Sequence, residues 1–422
     1  MFDVIIIGGG AAGFYAAISI AERNPKLSIA IFERGKTVLG KVKVSGGGRC
    51  NVTHAEFSPH DLSQNYPRGA KELIGPFHSH AVTDTVAFFE DRGVSLKVEQ
   101  DGRIFPKTDS SQTIIDCFLE EVKRLKIKVL KNSSVKNFEW KEKEKSWRVT
   151  TMNKHYHSKK LLVATGSNPK IWKLLKELGH KIVDPVPSLF TFNIADKRLE
   201  GLQGISAEAY VEIPKRTHYD SDISDQIKTK VEKKPLLTSE GPVLITHWGL
   251  SGPAILRLSA WGARLLNEYR YHFKIELNWL PEFSTGSFLQ YLLQVKEVES
   301  KKAIYGTTPV DIPSRLWKKF VKASGIDTKL RWADITKEKL GILAEQLTKC
   351  SFKVTGKSTF KEEFVTAGGV DLKEIDFKTF QSKLLPNLYF AGEVMNVDAI
   401  TGGFNFQNAW TSAYLAARAI AD

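Results

Sequence analysis

The chain has 422 residues, enough for two to three domains and several hydrophobic cores. With 42% hydrophobic, 26% charged and 10% aromatic residues it has the balance of a folded globular protein, which excludes a disordered or fibrous one. Three scattered cysteines (Cys50, Cys117, Cys350) exclude a disulfide framework, a CxxC metal knuckle and a disulfide-reductase pair, while a net charge of +14 leaves nucleic acid, anionic lipid and acidic small molecules open as partners.

The opening MFDVIIIGGGAAGFYAAISI is apolar, but it lacks a basic leading segment and carries Asp3 and three consecutive glycines. It reads as strand, turn and helix of a cytoplasmic enzyme, not as a signal peptide or membrane span. Residues 2–7 form an unbroken apolar run, as expected of a central parallel strand covered on both faces. Gly8 to Gly13 turn the chain into a helix whose apolar positions Phe14, Ala17, Ile18 and Ala21 recur at three and four residues, ending at Asn24-Pro25. A second strand over 28–32 closes at Glu33 and completes a beta-alpha-beta unit.

A glycine-rich stretch over 40–51 precedes a helix near 81–91. Asp109 or Ser110 then caps a helix that buries Ile114, Ile115, Phe118, Leu119 and Val122. Strand-like runs at 126–130, 135–140, 146–151 and 160–164 predict a small antiparallel excursion that rejoins the parallel sheet at LLVATG. Beyond Pro185 the parallel pattern stops, and the segment that follows is too long for a loop. The expected division is a nucleotide-binding domain over 1–185 and 354–422, interrupted by a substrate-side domain over 186–353. That insert is β-rich over 186–280 and mainly helical over 281–347, with the charged stretch 215–234 as a solvated hairpin or loop. A strand at 388–390 and a helix over 406–421 end the chain.

Gly8, Gly10 and Gly13 form GxGxxG between a buried strand and a helix, where glycine permits a tight turn, close approach to a pyrophosphate and close helix packing. Glu33, twenty residues after Gly13, is placed to accept hydrogen bonds from a ribose diol. In AGEVMNVDAITGGFNFQNAW, Gly392 and Glu393 lead to a second glycine turn, Gly402-Gly403, and a terminal helix. A second positive helix end suits a flavin, whose reduction places negative charge at the N1/C2=O edge of its ring, so the pattern favours FAD over NAD. Glu393 is placed to hold the ribityl hydroxyls; the alternative is a purely structural cap supplied by Asn405.

The third glycine patch, Ser45-Gly46-Gly47-Gly48-Arg49-Cys50-Asn51, lets backbone approach the flavin or its phosphates, with Arg49 as an anion partner and Cys50 as a packed residue rather than a redox thiol. His247, in THWGLSGP, is a candidate catalytic proton donor or acceptor, with a structural interdomain histidine as the alternative. Arg103 and Lys107 in GRIFPK are candidates for a substrate anion. No metal-ligand set is expected.

In order and spacing, GGGAAG, GKVKVSGGGRCN, GRIFP, LLVATG, THWGLSGPAILRLS, VTAGGV and GEV followed by TGGFNFQ resemble the bacterial FAD-binding flavoprotein family similar to aminoacetone oxidase and 3-dehydro-bile-acid delta-4,6-reductase, over almost the entire chain. The resemblance implies an α/β fold: a discontinuous Rossmann-like FAD-binding domain with an inserted β-rich domain and a helical subdomain. It assigns to the FAD site the first turn (Gly8, Gly10, Ala11, Ala12, Gly13), the strand end (Glu33, Arg34), and Lys41 with Ser45, Gly46, Gly47, Arg49, Cys50 and Asn51. It adds Ala164, Thr165 and Gly166, then Gly392 and Glu393, then Gly402, Gly403, Phe404, Asn405 and Gln407, with the Val135 backbone toward the adenine. His54, Asn396, Ala399 and Ala413 depart from the family pattern around the flavin end, so substrate class is not carried over.

The expected function is an FAD-dependent oxidoreductase moving a hydride between flavin N5 and a small-molecule substrate, by amine oxidation or enone-type reduction. A second GxGxxG is absent, so the reductant is the substrate itself or NAD(P)H visiting the same face. Two alternatives stand beside it. One is an RNA-associated flavoprotein, on the basic runs 141–145 and 154–160; the other is a non-catalytic flavin or nucleotide sensor. A small-molecule partner is favoured over nucleic acid.

Overall fold

A computed structural model describes residues 1–152, 154–215, 236–358 and 365–422; beyond Lys215, the stretch expected as a solvated hairpin lies outside them. The chain divides into two compact units, Met1–Pro187 with Lys361–Asp422, and Ser188–Phe360.

In the first unit the apolar strand Phe2–Ile7 lies between two parallel neighbours, Ile29–Phe32 and His155–Val163. Lys128–Leu130 extends the sheet beyond the former and Leu388–Phe390 beyond the latter, both parallel. Val4, Ile5, Ile6, Leu161, Leu162, Val163 and Phe390 are fully buried, which is why these strands read as continuous apolar runs without alternation. Val135–Lys141 and Ser146–Thr151 form the antiparallel excursion, and Ser146–Thr151 joins the sheet through the first half of His155–Val163. The helices Ala11–Arg23 and Phe404–Ala421 pack on each other, and Ser110 caps the helix Ser111–Arg124 through its hydroxyl. A small sheet of Thr53–His54, Arg103–Pro106 and Leu96–Val98 stands beside the terminal helix. The chain leaves this unit along Ile182–Pro187 and re-enters along Thr366–Val370, two strands paired antiparallel.

The second unit is built on a seven-stranded sheet with helices Pro253–Trp261, Thr285–Val298, Ser314–Ala323 and Lys337–Thr348. Alternating burial of Ala209, Val211 and Ile213, and of Phe273, Ile275 and Leu277, shows one face of each strand turned to a core. The helices bury Phe288, Trp317, Phe320 and Leu343 in that same core, so sheet and helices form one body. The strands Cys350–Thr355 and Lys357–Ser358 belong to this sheet, which carries the unit past residue 353 to Phe360.

Candidate functional site

The first glycine turn is fixed by packing on one side and open on the other. A side chain at Gly8, where φ is +118°, would meet the Ala164 carbonyl oxygen at 2.2 Å, and one at Gly13 would meet the Gly8 carbonyl at 2.0 Å. Gly10 has nothing within 4 Å. The first helix starts at Gly10 with no side-chain cap, so the N–H groups of its first turn remain available to an anion. Glu33 Oε2 accepts from the Gly9 N–H at 2.9 Å and Oε1 from the Gly35 N–H at 2.7 Å. The carboxylate thus ties the turn to the second strand. Ser133 N–H donates to the Glu33 carbonyl, which brings the strand starting at Val135 alongside, while Arg34 is exposed.

Glu393 organises a second cluster. Its Oε2 takes an ion pair from Lys41 Nζ at 2.6 Å, and its Oε1 accepts from the Thr366 N–H at 3.0 Å. Gly166, at φ +59°, lies beside it, since a side chain there would come within 3.5 Å of Glu393 Oε2. A side chain at Gly392 would come within 3.3 Å of Ala12 Cβ, and the Leu39 N–H donates to the Gly9 carbonyl, so this cluster adjoins the first turn.

The third patch is helical from Gly40, then breaks at Ser45, with Gly46 and Gly47 in the left-handed region at φ +56° and +67°. It leads to Asn51, Thr53 and His54, which meet the start of the terminal helix. Thr53 Oγ1 donates to Gln407 Oε1 at 2.6 Å, and the His54 ring stacks on Phe404 with centroids 4.5 Å apart. Burial pushes the His54 pKa down, so the ring is neutral at pH 7 and its Nδ1–H donates to the Gly402 carbonyl at 3.1 Å. The glycines at 8–13, 46–47, 166, 392 and 402 therefore lie in one unit with Glu33 and Glu393, and the described residues hold no group of side chains suited to a metal.

A family model described as the HI0933-like protein Rossmann domain matches residues 2–419. The chain belongs to the HI0933-like family. With it the chain is a flavoprotein oxidoreductase built on a Rossmann-type FAD-binding domain. It is 29% identical to a ribosomal RNA dihydrouridine synthase of Haemophilus influenzae, over 99% of this chain and 98% of that protein. A ribosomal RNA dihydrouridine synthase of Escherichia coli is 28% identical over 99% and 97%. A 3-dehydro-bile acid delta(4,6)-reductase of Clostridium scindens is 23% identical over 99% and 98%. No helix among the described residues is long and apolar enough to cross a membrane.

Several side chains in this HI0933-like site differ from their sequence-based roles. Arg49 is not free for a phosphate: its guanidinium lies 2.6 Å from Glu99 and 3.5 Å from Asp109, over the Phe105 ring. Arg103 is likewise paired with Asp101 at 2.6 Å. Asn405 does not cap the terminal helix; its amide holds both the N–H and the carbonyl of Ala399. Gly403, at φ +97°, faces protein, because a side chain there would meet the Thr53 backbone at 2.6 Å and Asn51 Oδ1 at 2.8 Å. Cys50 is fully buried and burial pushes its thiol up to about 12, which suits a packed residue. His247 is exposed, in the turn between Leu237–Ile245 and Gly249–Ser251 of the second unit.

Two positioning elements had no sequence-based role. One is the Thr366 N–H on Glu393, whose only signal was the motif VTAGGV. The other is Arg68, bidentate to the fully buried Asp398 in the segment that leads to Gly402. A lone acid among the apolar residues of VDAIT was the available sign that this loop needs a buried cation.

Proposed function

We propose that the protein reduces a carbon–carbon double bond conjugated to a carbonyl, with FAD as its bound cofactor, and that the substrate is a uracil base within RNA. The observation carrying this reading is the chemistry shared by three relatives aligned over 99% of the chain. Dihydrouridine forms when hydrogen is added across C5=C6 of uracil, a bond conjugated to C4=O; a delta(4,6)-reductase acting on a 3-dehydro compound works on double bonds next to a 3-oxo group. RNA is preferred to a small enone because two of those relatives modify RNA and because 61 basic residues face 47 acidic ones. The sequence alone ranked these partners the other way.

The residues fit FAD on two counts. The first helix presents an uncapped N-terminus beside the open face of Gly10, and Asn51 Oδ1 and Thr366 Oγ1 are buried polar atoms with no hydrogen-bond partner among the described residues. In this reading the first-turn N–H groups hold the pyrophosphate, and Glu33, each oxygen of which already accepts one N–H, uses its remaining lone pairs for the ribose. The Val135 backbone meets the adenine, and Lys41 and Glu393 hold the ribityl chain. The N-terminus of Phe404–Ala421 stabilises negative charge on the ring. FAD, when reduced by NAD(P)H, would supply the hydride.

The test is anaerobic turnover with NADPH on an unmodified ribosomal RNA transcript and, separately, on a steroidal enone. The expected result is a gain of two hydrogens on a uridine. Reduction of the enone with untouched RNA selects the small-molecule reading, and inertness toward both refutes the proposal.

A further inference from the structure

Helix Ser314–Ala323 of the second unit reads SRLWKKFVKA, with four basic residues and no acid. Its inner face, Leu316, Trp317, Phe320 and Val321, is fully buried. The outer face carries Lys318, Lys319 and Lys322, and none of the three makes an ion pair among the described residues. Some neighbouring cations are engaged: Lys302 with Glu299, Arg331 with Asp334, and Arg315 with the Gly201 carbonyl.

An aromatic ring lies beneath two of these lysines, Lys318 and Lys322. Trp317 Nε1–H donates to the Ile304 carbonyl at 2.9 Å and pins the turn Ile304–Gly306 to the helix. Tyr305 is thereby held with Lys318 Nζ 5.7 Å and Lys322 Nζ 5.2 Å from its ring centroid. Lys318 and Lys322, one turn apart, repel each other, and no acid on the helix offsets them. Phosphate oxygens would relieve that repulsion, and a half-exposed ring offers a base a surface to stack on.

We propose that this face, Lys318, Lys319, Lys322 and Tyr305, is a docking surface for the RNA backbone. The proposal rests on the RNA reading above and adds to it where the polynucleotide is gripped. Its occupant is RNA, because single-sign charge flanking an aromatic ring matches alternating phosphate and base.

The experiment uses full-length FAD-loaded protein and a short labelled RNA hairpin with a uridine-rich loop, with affinity measured across a salt series. In the triple variant Lys318→Gln, Lys319→Gln, Lys322→Gln, the slope of log K against log salt should shrink by roughly 2 to 3, and affinity near 0.1 M salt should fall by about tenfold or more. Lys322→Gln alone should remove about 0.7 to 0.9 of that slope, and Tyr305→Leu should weaken binding with the slope unchanged. A control at three exposed lysines of the first unit, Lys26→Gln, Lys123→Gln, Lys126→Gln, should keep slope and affinity. An unchanged slope in the triple variant, an equal loss in the control, or no RNA binding by the parent protein overturns the surface. Dihydrouridine formation is read separately: its presence with an unchanged slope retires the surface alone, and its absence with a reduced slope retires the substrate reading alone.

Discussion

Removal of the Glu33 carboxylate should unsettle the protein before any flavin is involved. Its two oxygens accept from the Gly9 N–H at 2.9 Å and the Gly35 N–H at 2.7 Å. Gly9 is buried, so Glu33→Ala leaves that donor without a partner at a cost of about 2 kcal/mol, whereas water can replace the bond at half-buried Gly35, at about 1 kcal/mol. For a unit of roughly 250 residues, about 3 kcal/mol corresponds to a melting temperature lower by about 6–12 °C. Glu33→Gln keeps one carbonyl acceptor and should fall between parent and alanine variant. FAD affinity should drop further, by roughly 10- to 100-fold for each charge-assisted ribose bond lost. The assay is calorimetry of flavin-stripped protein beside a fluorescence titration with FAD. A Glu33→Ala apoprotein that melts with the parent while losing FAD would refute the idea that this carboxylate holds the turn together.

Gly403→Val should lower stability by about 3 kcal/mol or more, because a left-handed valine would also collide with the Thr53 backbone; equal chemical-denaturation midpoints would contradict this. Lys160 Nζ donates to the Ile420 carbonyl at 2.6 Å, at the C-terminal end of the last helix, so Lys160→Met should cost about 1–2 kcal/mol, whereas Lys143→Gln with Lys145→Gln should leave the melting temperature unmoved. His80 is buried, paired with the Tyr15 hydroxyl at 2.9 Å, and pushed down to about 4 by burial, with Asp84 opposing. The unfolded chain therefore binds the extra proton between pH 6.5 and 4, and stability should fall over that range by up to about 1.4 kcal/mol per pH unit; urea titrations of His80→Gln should show a shallower pH dependence than the parent. Ser382, His180 and Glu374 align like a hydrolytic triad at 3.1 and 2.8 Å, but Ser382 Oγ already accepts from the Leu384 and Leu385 N–H groups and the residue is buried. Ser382→Ala should lower stability by about 1–3 kcal/mol, and an ester substrate should remain intact with either protein.

The sequence by itself determined the elements whose signals are local. The run of residues 2–7, the GxGxxG turn, the helical spacing of Phe14, Ala17, Ile18 and Ala21, and the end of the second strand at Glu33 all follow from short-range sterics and periodicity. The antiparallel excursion and the terminal helix were legible for the same reason, whereas the alternation along the strands of the inserted unit showed only in their burial. Tertiary structure alone decided partnership. Arg49 has the chemistry to meet a phosphate, yet Glu99 lies 2.6 Å from it because the strand Arg103–Pro106 pairs with Thr53–His54. Lys160 has the composition of a solvated lysine, yet it caps a helix 260 residues away. Lys41 finds Glu393 across 352 residues, and Thr53 finds Gln407 across 354. A side chain's type fixes how many hydrogen bonds it can make; which groups it makes them with depends on strand order and helix packing, and those are set by burial across the whole chain.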